Sequence, residues 1–444
     1  MPELKRKLTL SHTLAIIVGT VIGSGVFINL PIVAKVTASP LLAVLAWFLG
    51  GLIWFPQIFI LAEIGSAYPE EGFGYLYLKK AGSDFLAFLY VWTIFWTSDA
   101  PSISIISLSA ASALALFSPV FHQPAVARAL AIALIVSLTA IHYRDVKSGG
   151  NLQIVLTLLK ITPLFLLIFA GLALFHPQNL FWTPHANHAS GIGPLLGAGV
   201  AATVWSYAGF GNVLYMAGEI KNPHKTLPKA LIGSVLLITA MYTLIALATA
   251  VLVPQNKLIA FSGGFANPFQ FLPWMATAAA GFLAVSAFIS MVGATNACIM
   301  VQPRIEYAMA RDGLFFRIFA HVHPRFQTPD YSILLQSAVA VGLLFFGDLN
   351  NLLGYFTISY VLQNALIYGT IFLLRKREDY HPTFRSPAWA LMALLSVATQ
   401  LALGYGTFLA YPAAGILSTL ALMATGFPIY WVFKRRKKRR PARL

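Results

Sequence analysis

Twelve apolar stretches dominate the chain, at about 13–37, 41–64, 84–117, 124–143, 153–176, 193–217, 230–254, 271–303, 331–347, 351–374, 387–410 and 412–433. A helix needs about 20 apolar residues to cross roughly 30 Å of hydrocarbon, so each stretch reads as a membrane span. In that solvent every backbone N–H and C=O must find a partner inside the protein, which leaves helices or closed barrels. Barrel strands read as ten-residue alternations of polar and apolar side chains, and that pattern is absent. With only 10% charged residues, the chain also lacks the charge to clothe a soluble globule. The sequence predicts an all-α integral membrane protein, with residues 1–444 forming one transmembrane domain.

Basic residues test the span count, because positive charge stays on the cytoplasmic side of short loops. With the N-terminus inside, Lys5, Lys79, Arg144, Lys225, Arg311, Arg377 and the run from Lys434 to Arg440 all fall inside, and 26 of the 30 Lys and Arg residues do so. An odd number of spans would scramble this alternation, so twelve spans with both termini cytoplasmic are expected, in the cytoplasmic membrane. The net charge of +16 then reads as topology and attraction to anionic headgroups, with no nucleic acid partner. Lys5 to Lys7 ahead of an apolar stretch mimics a secretory signal; with no soluble domain behind it, it reads as a retained first span.

Breaks inside the spans carry more information than the spans do. The first holds Gly19, Gly23, Ser24 and Gly25, and the sixth holds Ser206, Tyr207, Ala208, Gly209, Phe210 and Gly211. Glycine lowers helix propensity by about 1 kcal/mol and lets backbones approach closely. A Gly19 to Gly23 seam alone would suit helix packing. A matching break five spans later, in a helix running the other way, instead suggests inverted repeats at about 13–176 and 193–374, with extra helices at about 387–433 and a basic tail at 434–444.

Two broken helices facing each other offer chemistry without charged side chains. A half-helix starting after Gly25 presents free N–H groups and a positive dipole end, which suit a carboxylate. The half-helices that end before the breaks present free carbonyls, which suit an ammonium. An amino acid carries both groups on adjacent atoms.

Asp99 and Lys160 lie within spans, at a cost of about 2.5–3.5 kcal/mol each on insertion scales. They read either as an ion pair holding two helices together or as separate functional groups: Lys160 a fixed or titrating cation beside the first break, Asp99 a pocket carboxylate or proton carrier. Glu63 and Glu219 read as helix-end charges bonded to backbone or loop lysines. Trp205, just before the sixth-span break, is a candidate gate. The single cysteine, Cys298, excludes an internal disulfide. His185 and His188 have no partner ligands nearby, so neither metal nor cofactor is expected, and no nucleophile elbow, phosphate loop or dinucleotide motif appears.

In order along the chain stand Gly19-Thr20-Val21-Ile22-Gly23-Ser24-Gly25-Val26-Phe27, Ala62-Glu63-Ile64-Gly65, Trp205-Ser206-Tyr207-Ala208-Gly209-Phe210, Gly218-Glu219-Ile220-Lys221-Asn222-Pro223 and, after Arg304, Tyr307-Ala308-Met309-Ala310-Arg311-Asp312-Gly313. By these the chain resembles the amino acid-polyamine-organocation transporters, near the bacterial relatives of L-amino acid transporters and amine exchangers. The resemblance covers nearly the whole length. It implies a LeuT-type fold of two inverted five-helix repeats plus two helices, working by alternating access. It implies substrate carboxylate at Gly23, Ser24 and Gly25, and substrate amine at carbonyls near Ile22 and from Trp205 through Ser206 and Tyr207 to Ala208. It puts Trp205 at an aromatic gate and Lys160 where sodium sits in other members, so that proton coupling or exchange replaces sodium. Asp99 is similar in position to a residue that contacts the distal amine of substrate in arginine-agmatine exchangers. The expectation is a sodium-independent amino acid permease favouring cationic amino acids or amines, with small neutral amino acids as the alternative substrate. A channel or an intramembrane enzyme is the rival class.

Overall fold

The computed structural model describes residues 4–23, 25–115, 117–181, 191–261, 266–345, 360–410 and 414–438, with side chains described outside 406–419 and 438. Among them the chain is mostly helical; in place of strands there are two isolated bridges, Leu8 with Ile220 and Glu71 with Met216. Every one of the expected spans carries helix. His185, His188, Ser24 and residues 351–359 of the tenth stretch lie outside the described residues.

The helices in chain order are α1 (Leu10–Val21), α2 (Gly25–Thr37), α3 (Pro40–Leu52), α4 (Trp54–Ala67), α5 (Phe73–Lys80), α6 (Asp84–Ile94), α7 (Ala100–Leu114), α8 (Pro124–Arg144) and α9 (Val146–Ala173). They continue as α10 (Ile192–Thr203), α11 (Pro223–Leu252), α12 (Gln255–Ile259), α13 (Ala279–Val301), α14 (Pro303–Arg311) and α15 (Asp330–Leu343). After these come α16 (Tyr360–Leu374), α17 (Trp389–Ala410) and α18 (Ala414–Lys438). Among the described residues five continuous helical segments are long and apolar enough to cross a membrane, and the bent pair α1 and α2, at 45°, makes a sixth.

Local chemistry explains where the spans bend. Ser39 caps α3 with Pro40 in its first turn, where a missing N–H costs nothing. Pro56 withdraws the N–H that the Leu52 carbonyl would receive, and the second span is interrupted at Ile53. Pro101 likewise withdraws the donor for Thr97, and the preceding turn, Phe95–Asp99, widens into a π-helix. Such bulges commonly mark functional positions. Asp145 caps α9 through the Ser148 N–H at 3.0 Å and pairs with Lys7 at 2.7 Å.

α11 is the hub, packed on α1, α3, α4 and α9, while α13 packs on α7 and α9. Trp47 is fully buried, edge-on to Tyr242 at 5.4 Å. Outward faces such as Leu158, Phe169, Leu236 and Leu394 stay exposed; in a bilayer these meet acyl chains.

Glu63 and Glu219 differ from the expected helix-end charges with lysine or backbone partners. Glu63 takes Arg375 Nε at 2.7 Å and Nη2 at 2.8 Å, the Tyr380 hydroxyl at 2.9 Å and the Ser386 N–H at 2.7 Å. Glu219 takes Arg304 Nε at 2.8 Å, with both side chains fully buried. Arginine supplies a planar fork that a loop lysine cannot, which is why these carboxylates can sit inside.

Removing one partner of a buried pair costs about 3–5 kcal/mol because the other charge is stranded. Glu63→Ala is therefore expected to lower the apparent Tm of detergent-purified protein clearly, and an unchanged melting curve would show that the Arg375 fork carries no stability.

Candidate functional site

α1 stops at Val21 because Ile22 leaves the helix at φ −79° and ψ 90°, next to Gly23. Each helix end leaves carbonyls with no intrahelical donor. Here donors arrive from three other helices. Lys160 Nζ, from α9, donates to the Gly19 carbonyl at 2.9 Å and the Ile22 carbonyl at 2.8 Å. Ser290, from α13, donates to Ile22 O at 3.3 Å, and Tyr242, from α11, to Val21 O at 3.3 Å. Space for the lysine is set by Gly293, where a Cβ would stand 3.0 Å from Lys160 Cε and 3.1 Å from Nζ.

This arrangement answers one question left open by the sequence. Lys160 is held by backbone oxygens, and no Asp99–Lys160 ion pair forms among the described residues. Two buried carbonyls offered a partner closer to hand. The Ile22 carbonyl, expected to take a substrate amine, already has Lys160 and Ser290 on it. Gly23 borders open space, and Gly25 abuts Ser206, to whose Oγ a Cβ would come within 3.3 Å. Ser24 lies outside the described residues. The first N–H groups of α2 start at Gly25 with no intrahelical acceptor, the geometry that suits an anion.

In the sixth span α10 ends at Thr203, and the chain continues in short 3-10 turns, Val204–Tyr207 and Phe210–Tyr215. Gly209, between them, adopts φ +118°, a left-handed conformation open to glycine. The breaks interlock there: Thr20 donates to the Gly209 carbonyl at 3.2 Å, and Asn29 to Ser206 Oγ at 2.8 Å. Tyr207 turns away into the packing, its hydroxyl on the Trp47 carbonyl at 2.8 Å and its ring 4.9 Å from that of Tyr242. Its side chain is thus structural. Trp205 is 39% exposed, with its ring 6.1 Å from that of Tyr360.

Beside the interlocked breaks lies a cavity of about 150 Å³, far above the roughly 10–15 Å³ that one water requires. One wall is polar, with Thr20, Ser98, Asp99, Ser102, Asn212 and Gln302; the other is aromatic, with Trp54, Tyr90, Phe210, Tyr215, Tyr360 and Tyr368. Asp99, presented by the π turn, is 1% exposed and its Oδ2 has no hydrogen-bond partner. Ala208 also lines the cavity. The arrangement gives an ampholyte backbone amides, backbone carbonyls, one carboxylate and an aromatic cover.

Of the residues singled out from sequence, Asp99 and Ala208 meet in the cavity, Ile22, Gly23, Gly25, Ser206 and Lys160 gather at the breaks, and Trp205 reaches the cavity through Tyr360. Thr20, Asn212, Gln302 and Tyr360 were not singled out as site residues. A signal existed for Gln302: Ala294, Cys298 and Gln302, all lining the cavity, recur every four residues, which puts them on one helix face.

Comparison with known proteins agrees with this architecture. Residues 8–434 match the amino acid permease family. The serine/threonine exchanger SteT of Bacillus subtilis is 28% identical over 98% of both chains. The methylthioribose transporter of the same organism is 29% identical over 94% of this chain and 91% of its own. The human cystine/glutamate transporter is 28% identical over 97% of this chain and 86% of its own. A match that runs from the segment ahead of α1 into α18 embraces both breaks and the cavity beside them, and the chain belongs to the amino acid permease family, a family of membrane transporters and not of enzymes.

Proposed function

We propose that this amino acid transporter works without sodium and by alternating access, on cationic amino acids or amines, by exchange or with protons. It would do so with twelve spans, arranged as inverted five-helix repeats at about 13–176 and 193–374 and two further helices, with both termini cytoplasmic. The observation that carries the substrate class is Asp99: a buried carboxylate with an unpartnered oxygen, in the wall of the cavity beside the two breaks. A carboxylate inside a membrane costs about 2.5–3.5 kcal/mol on insertion scales, and a positive group on the substrate offsets that cost when it binds. The substrate headgroup would lie on the backbone at Gly23 to Gly25 and on the sixth-span turn from Trp205 to Ala208, with Trp205 and Tyr360 closing over it.

Sodium independence is supported by Lys160. Its Nζ sits on two carbonyl oxygens of the break, donors supplied by the chain itself where a bound cation would otherwise supply charge. Small neutral amino acids are the second reading, supported by the likeness to a serine/threonine exchanger and by the serines of the polar wall. A methylthioribose transporter among the relatives makes the pocket, not the fold, the determinant of substrate.

Uptake into proteoliposomes decides between the readings. Saturable lysine and arginine uptake, unchanged when choline replaces sodium, is expected; alanine uptake indifferent to excess arginine would sink the cationic reading. Stoichiometric counterflow is expected as well, and conduction at channel rates would count against a carrier.

Lys160→Ala leaves the buried Gly19 carbonyl without its side-chain donor and Ile22 with Ser290 alone, a loss of about 1–3 kcal/mol for each stranded group. At least a tenfold drop in initial uptake rate is expected, with monodisperse purified protein. Normal flux would return Lys160 to a packing role.

A further inference from the structure

Beyond Asp99, the cavity wall and the helical turn that continues it carry a set of oxygen acceptors that the chain leaves without donors. α13 passes through Gln302 into α14 as one apolar segment, Ala279–Arg311, so the face that carries Ala294, Cys298 and Gln302 next presents Glu306. Glu306 is fully buried, and neither of its carboxylate oxygens has a hydrogen-bond partner. Gln302 Oε1 is also buried without a partner, because its Nε2 is spent on Ser102 Oγ at 2.9 Å. Ser102 in turn gives its proton to the Asp99 carbonyl at 2.8 Å. Asp99 Oδ2 is the fourth such oxygen.

The surrounding groups do not cancel this excess of acceptors. Tyr215 spends its hydroxyl proton on Tyr90, the proton left on Tyr90 carries no charge, and Cys298 is a weak donor at best. Lys160 is committed to the first break. Arg304 is two residues from Glu306, and side chains two apart on a helix do not face each other; its Nε is on Glu219, and its Nη1 and Nη2, buried without a hydrogen-bond partner, bond to none of these oxygens. Two carboxylates and an amide oxygen are out of water here, Asp99 and Gln302 in the cavity wall and Glu306 one helical turn beyond it, and they call for a positive group from outside the chain.

We infer that Asp99, Gln302 and Glu306 form a subsite for a primary ammonium at the far end of the substrate, which makes ω-amino compounds such as lysine the preferred class over guanidinium compounds. The match is one of donors to acceptors. A primary ammonium has three N–H donors, one for each of the three side chains, whereas a guanidinium presents five in a rigid plane. Gln302 and Glu306 then read the substrate side chain, while the breaks hold its headgroup. The inference rests on the transporter reading of this cavity.

Competition against labelled lysine in counterflow proteoliposomes, with lysine, arginine and norleucine as unlabelled competitors, tests it. Norleucine has the same headgroup and carbon chain as lysine without the ammonium. Wild-type protein is expected to prefer lysine to norleucine at least tenfold and to arginine at least threefold. Glu306→Gln, of nearly the same volume, is expected to shrink the lysine-over-norleucine ratio at least tenfold. Gln302→Leu, an independent variant, should shrink it in the same direction, and a purely structural role would lower all competitors together. A wild-type protein that favours norleucine or arginine overturns the subsite without any variant. So does a ratio untouched by both variants, or a sodium-induced thermal shift that disappears in Glu306→Gln. Saturable alanine uptake with no recognition of lysine overturns the subsite and leaves the transporter intact; transport of no amino acid or amine overturns both.

Discussion

The Lys160 contact with the Gly19 and Ile22 carbonyls is the constraint on which the site depends. A broken helix at membrane depth survives only if its freed backbone groups are satisfied. One side chain from α9 satisfies two of them. An ammonium inside a membrane costs about 2.5–3.5 kcal/mol, and hydrogen bonds from a charged donor return about 1.5–3 kcal/mol each, so the two effects are of the same size. The lysine stays inside because the break is there, and the break stays open because the lysine is there. Ser290 and Tyr242 add donors from α13 and α11, which ties the first span to three neighbours at its weakest point.

From that point the rest of the site follows by contact. The sixth-span break can lie against the first only because Gly209 takes a left-handed turn and leaves its carbonyl within reach of Thr20. Asn29 on Ser206 and Tyr207 on Trp47 fix the same turn from two other directions. Both broken segments are thus over-determined by side chains of unbroken helices, the condition under which irregular backbone persists. The buried pairs Glu63–Arg375 and Glu219–Arg304 fasten the ends of the spans around it.

Much of this was legible in the sequence. Apolar run length located the helical stretches, and glycines at Gly19, Gly23, Gly25 and Gly209 located the breaks, because these signals are local. What stayed hidden depended on which helix faces which. Asp99 and Lys160 left an ion pair open as the alternative to separate roles, and only three-dimensional placement shows the lysine on backbone oxygens. Glu63 and Glu219 looked like interfacial charges since their arginines lie 312 and 85 residues away. Glu306 sits inside a conventional-looking charged motif, Arg304 to Asp312, where one more acidic residue raises no question. Its significance lies in having no partner, and a sequence cannot show a missing partner.

Charge accounting also separates the parts of the molecule that hold the fold from those that meet a ligand. Glu63 takes four donors, Glu219 is paired with an arginine through one of its oxygens, and Lys160 donates to two carbonyls. Among the described residues, Asp99, Glu306 and Glu219 are the carboxyl groups with a buried oxygen that has no hydrogen-bond partner, and of these Glu219 alone has a cation beside it. A stable protein gains nothing from stranding such groups in hydrocarbon. A carrier does gain, because the unfavourable state of the empty site is relieved by the group it is built to move, and that difference is available for selectivity. On the proposed reading, the backbone at the two breaks would recognise what all amino acids share, and the acceptors of Asp99, Gln302 and Glu306 would select among them.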